Sequence, residues 1–170
     1  MKSLVAIVSC LASTSLFAHP LFENTEAQAG VAFKAEMMIT HGCGDSPTVR
    51  LIVEVPPEVL AVTPQLKSGW TIEKGESKLD EPRTVFGMQR TKYTSQLVWS
   101  GNSLSSGYFD VFSFIIIPPA DATTLYFPTT QVCDVGEDAY TTIPDPHSDE
   151  YVAGAAPSLT VVKVEAAAGH

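Results

Sequence analysis

"YFDVFSFIII", residues 108–117, decides the fold. All but Asp110 and Ser113 are aromatic or β-branched, types that pack well on a pleated surface. As far as Phe114 the stretch has period two. Tyr108, Asp110, Phe112 and Phe114 share one face, and Phe109, Val111 and Ser113 share the other. Turn signals bound it on both sides: "SGNSLSSG" before it and "IPPAD" after it.

The same reading extends outward. "VAFKAEMMI" (31–39), "TVRLIVEV" (48–55), "GWTIEK" (69–74), "SQLVWS" (95–100) and "TLYFPTTQVC" (124–133) have the same composition. In the second of these, Leu51, Val53 and Val55 face one way. "HGCGDSP", "VPPE", "LKSG" and "DVGED" part the segments, and no long stretch has helical periodicity. The expectation is an all-β immunoglobulin/fibronectin-III-like antiparallel β-sandwich. After Pro144, "DPHSDEYVAGAAPS" reads as loop, "LTVVKVE" (159–165) as a closing strand, and residues 166–170 as a frayed tail.

The first eighteen residues differ in kind. Lys2 precedes an uncharged apolar run ending at Phe17, then Ala18. This is the form of a secretory signal peptide, and the run is too short to span a bilayer. The domain layout expected is a signal peptide at 1–18, one domain at 19–165 and a tail at 166–170. Cleavage removes Lys2 and no acid, so 9 of 10 basic residues remain against 19 acidic ones, a net charge of −10. That balance argues against nucleic acid and against anionic membrane surfaces. Cys10 leaves with the signal. Cys43 and Cys133 are an even pair in an exported chain, so a disulfide is the default and a thiolate metal site the rival.

Cleavage after Ala18 makes His19 the first residue. Its α-amine and imidazole Nδ1 then close one chelate ring, and nitrogen donors favour Cu(II) among divalent first-row metals. Pro20 has no amide hydrogen, so Cu(II) cannot be wrapped by deprotonating the next amide. Further ligands must come from elsewhere in the fold. The blander account makes His19 only the residue where the signal ends.

Three stretches carry a resemblance. "HPLFENTEAQAGVAFKAEMMITHGCGDSPTVRLIVEVPPEVLAVTPQLKSGW" (19–70), "LVWSGNSLSSGYFDVFSFIIIPP" (97–119) and "LYFPTTQVCDVGEDAYTTIP" (125–144) together resemble the YcnI-like family of exported copper-binding domains, in the HGC-containing proteobacterial-type form. The resemblance implies Cu(II) held by the processed N-terminal histidine, a brace built on one histidine, with a carboxylate ligand and a neighbouring tryptophan. Two features depart from that pattern. The family glutamate falls about where "THGCG" stands, so His41 is the natural substitute and Asp45 the second. The family tryptophan aligns with Tyr140, whose ring could pack the same way and whose phenol could add an axial oxygen. Glu23 and Glu26 lie close enough in sequence to the new N-terminus to reach a metal there. A Cys43–Cys133 bridge would draw the "HGC" turn toward "QVCDVGEDAY".

Other candidates read as structure. Trp70 and Trp99 belong in the core. Met37 and Met38 point to opposite faces of a strand, and Met88 is isolated. His147 is solvated in an acidic loop, and His170 ends the tail. The expectation is a periplasmic or secreted protein, not an enzyme, that binds one Cu(II) per chain for copper trafficking or storage. Other copper-trafficking proteins are its expected partners, with no nucleic acid and no stable membrane insertion after cleavage. Two alternatives stand beside it. One is a copper-dependent oxidase or monooxygenase with His41 completing the brace. The other is a metal-free immunoglobulin-like interaction module.

Overall fold

The computed structural model describes residues 19–147 and 150–163. The expected signal peptide (1–18), the last two residues of the expected closing strand and the tail with His170 lie outside the described residues. Twelve strands are described: β1 (Leu21–Phe22), β2 (Glu26–Gln28), β3 (Phe33–Ile39), β4 (Thr48–Glu54), β5 (Ala61–Pro64), β6 (Thr71–Val85), β7 (Met88–Leu104), β8 (Asp110–Ile117), β9 (Thr123–Tyr126), β10 (Thr129–Cys133), β11 (Glu137–Tyr140) and β12 (Ser158–Val162). They form sheets ordered β1-β3-β8-β5, β11-β10-β4-β7-β6 and β2-β12-β9. The first two are the faces of an immunoglobulin-like sandwich. Pairing is antiparallel except between β2 and β12, where Val161 aligns in parallel with Ala27. Among the described residues no helix is long and apolar enough to cross a membrane.

The period-two faces determine the core. Phe112, Phe114 and Ile116 of β8 are buried, whereas Ile115 between them is exposed. Leu51 and Val53 of β4, and Val55 just after it, are buried opposite them. Trp99 is fully buried and Trp70 is 9% exposed. Edge-to-face ring contacts run from Trp70 through Phe112, at 5.2 Å, to Trp99 at 5.6 Å. Phe22 of β1 closes this chain against Phe127 at 5.2 Å and Phe114 at 6.2 Å.

Two segments differ from expectation. Residues 124–133 form two strands in different sheets, because Pro128 has no amide hydrogen to continue a ladder. β6 and β7 run far past residues 74 and 95 as a long hairpin. Its distal half is charged and largely exposed, so it lacks the apolar alternation of a strand on a core. Arg83 ties that arm back to the body, donating from Nη2 to the Val59 carbonyl at 2.8 Å and from Nη1 to that of Pro57. Cys43 and Cys133 form a disulfide with Cα atoms 6.1 Å apart, so neither offers a thiolate to a metal.

Candidate metal centre

The site is built on edge strands. β1 is only two residues long, yet it is fixed at both levels. Leu21 pairs with Met38 and Phe22 with Met37 in β3, and the buried Phe22 ring anchors the segment in the core. Pro20 is buried and His19 half-buried. His19 therefore leaves the core along a defined path, toward β11 at the edge of the facing sheet.

There its imidazole meets two tyrosines. The Tyr140 ring stands edge-on at 5.2 Å between centroids, and the Tyr151 ring at 6.2 Å. Tyr151 Oη lies 3.5 Å from His19 Nε2. A chelate with the α-amine would use the other ring nitrogen, Nδ1. His19, Asp138, Tyr140, Tyr151 and Gly154 line a cavity of about 210 Å³. On the other side of His19 a more open cavity of about 360 Å³ is lined by Pro20, Thr25, Glu150 and Tyr151.

The segment after β11 folds back over this edge. The Thr142 amide donates to the Gly154 carbonyl at 3.0 Å and the Ala156 amide to the Thr142 carbonyl at 2.8 Å. Gly154 has φ of 65°, and a Cβ there would lie 2.9 Å from the Ala139 carbonyl oxygen. Only glycine suits that close approach.

Tyr140 is 4% exposed, and its phenol is pushed up to about 12. Burial is the main cause. The Asp138 carboxylate and Tyr151 add to it. In the metal-free domain the phenol keeps its proton at neutral pH, and its ring walls the His19 imidazole.

The other sequence candidates are placed as follows. His41 follows β3 at the end where β1 begins. Its Nδ1 donates to the Gly42 carbonyl, and its own carbonyl accepts from the buried Gln131, whose Nε2 also donates to Thr48 Oγ1 at 2.7 Å. It is not itself a turn-tip residue: the tight turn is the antiparallel bridge between Cys43 and Ser46. Asp45 is exposed in that turn, and Glu23 and Glu26 are exposed beyond Phe22. Trp70, Trp99 and Met37 are core residues, and Met88 and His147 are exposed. Among the described residues no three His, Cys, Asp or Glu side chains cluster as a metal site. The polar side chains lining the His19 cavity are the His19 imidazole, the Asp138 carboxyl and the Tyr140 and Tyr151 hydroxyls, and an amine joins them only if the chain is cut at Ala18. Among divalent first-row metals, nitrogen donors favour Cu(II).

Sequence reading missed Asp138 and Tyr151. Asp138 has a signal, its two-residue spacing from Tyr140 in a strand. Tyr151 has none, because it arrives through an irregular segment.

Comparison with known proteins gives the following. A family model described as "Domain of unknown function (DUF1775)" matches residues 19–161. No curated protein matches the chain. The chain is similar to an uncharacterised protein of immunoglobulin-like fold from Nocardia farcinica, at 19% identity over 84% of this chain and 97% of that one, with a TM-score of 0.63. It is more distantly similar to a type I cohesin from Pseudobacteroides cellulosolvens, at 10% identity over 89% and 96% of the two chains, with a TM-score of 0.40.

Proposed function

Since the chain belongs to the DUF1775 family, which is defined without a function, we propose from its own geometry that it is an exported Cu(II)-binding domain for copper trafficking or storage. The observation that carries this reading is the placement of His19. A residue that merely follows a cleavage site would not need a buried proline behind it, a core phenylalanine anchoring its strand and two aromatic walls around its ring. Cleavage after Ala18 is the activating step, because only then does His19 own the amine that chelates with Nδ1. The resemblance to YcnI-like copper-binding domains supports the same reading, with Tyr140 in the place of the tryptophan. The disulfide suits an oxidising compartment such as the periplasm or the exterior. In keeping with that resemblance, the domain is read as a carrier and not an enzyme.

The test is Cu(II) titration of the domain beginning at His19. Binding with one ion per chain is expected, and His19→Ala or one extra N-terminal glycine should each abolish it. If either variant binds Cu(II) as well as the parent, the reading fails.

A further inference from the structure

Asp138, on β11, is the carboxylate that a described strand places in the lining of the cavity holding the His19 ring. β11 pairs with β10 so that Asp138 lies opposite Gln131 and Tyr140 opposite Thr129. Residues two apart in a strand point to the same face. Tyr140 uses that face to pack on His19, so Asp138 presents its carboxylate one step along the same wall. Both line the cavity that holds His19 and Tyr151. Asp138 is half-buried, whereas Asp45, Glu23 and Glu150 are exposed.

Resting on the copper reading above, we propose that Asp138 supplies the carboxylate donor of the His19 site. The chemistry fits. An amine and an imidazole give Cu(II) two nitrogens and leave its charge uncompensated. A single carboxylate adds an oxygen donor of accepted type and removes one unit of that charge. The alternatives at hand are poorer. His41 would supply a third nitrogen rather than a carboxylate oxygen, and it lies outside the lining of the His19 cavity. The chain has then relocated its carboxylate from the hairpin after β3, where the resemblance would seek it, to the facing sheet.

The experiment compares the domain beginning at His19 with Asp138→Asn and Glu150→Gln, by competitive Cu(II) titration and by the Cu(II) EPR spectrum. Asp138→Asn should weaken binding by about 10- to 100-fold and alter the copper hyperfine pattern. Glu150→Gln should leave both unchanged. Asp138→Ser serves as a second variant should the asparagine fold poorly, and urea unfolding of the metal-free proteins confirms that each is intact. A parent that binds Cu(II) while the Asp138 variants match it in affinity and spectrum overturns the role of Asp138 alone. So does a loss found in Glu150→Gln instead. A parent that takes no Cu(II) overturns the copper reading and this inference with it.

Discussion

Tyr140 illustrates how one side chain is set by its neighbours. Burial, Asp138 and Tyr151 all disfavour the phenolate, so the folded value of about 12 lies above the ordinary 10.0. The sign follows directly. Below pH 10 the phenol is protonated in both folded and unfolded chains, and its contribution to stability is intact. As pH rises from 10 through about 12, the unfolded chain ionises first and that contribution is lost. Urea unfolding of the metal-free domain should therefore show a midpoint that falls over this window. Tyr140→Phe should fall less steeply, and equal slopes would remove the assigned cause. Gly42 is constrained by backbone rather than by charge. A Cβ there would lie 1.9 Å from the Ser46 carbonyl oxygen, a backbone atom that cannot step aside cheaply. Gly42→Ala should cost more than about 3 kcal/mol, in the upper range of single substitutions, measured by the same unfolding. A cost under about 1 kcal/mol would show that the Cys43–Ser46 turn yields easily.

At the level of elements, the edge strands matter more than their length suggests. β1 offers two ladder residues, so its hold on His19 comes from the Phe22 ring against Phe114 and Phe127. Phe22→Ala should cost about 3–5 kcal/mol through the cavity it leaves. It should also weaken Cu(II) binding of the folded domain, because His19 is no longer delivered to Tyr140. Unchanged affinity in a destabilised variant would mean that the rings alone seat the histidine. The β6–β7 arm is a contrasting case: Arg83 secures it from outside the core. Arg83→Ala should speed amide exchange in residues 77–92 and leave Cu(II) affinity as it was. These elements also show what was legible in the sequence. β3, β4 and β8 each bury one face, so their alternation announced them. β1, β2 and β11 are too short for a period to register. The arm has little apolar face to alternate. His19 was legible from cleavage chemistry and Tyr140 from a resemblance, but Asp138 required knowing that β11 is a strand. Tyr151 required a fold-back whose only local marker is Gly154.

For the molecule as a whole, one covalent link joins the two faces. Cys43 follows β3 of the first sheet and Cys133 ends β10 of the second, at a sequence separation of 90. The cysteine count foretold a bridge, but not its neighbours. The Cys43 amide lies 3.1 Å from Cys133 Sγ, and the buried Gln131, two residues before Cys133, holds the His41 carbonyl. The link thus pins the end of the sandwich from which His41 emerges. Closing a loop of this length is worth about 4–5 kcal/mol in the chain-entropy model. Replacing both cysteines by alanine should lower unfolding stability by roughly that amount, and reducing the parent under mild conditions should reproduce the loss. The consequence for the site follows from where the proposed donors stand. His19 is held by Phe22, and Asp138 by the backbone ladder between β11 and β10. The double variant, once folded, should therefore bind Cu(II) within about threefold of the parent, a difference under about 0.7 kcal/mol. A loss of copper affinity out of proportion to the loss of stability would move the second donor back to His41, beside the bridge, and away from β11.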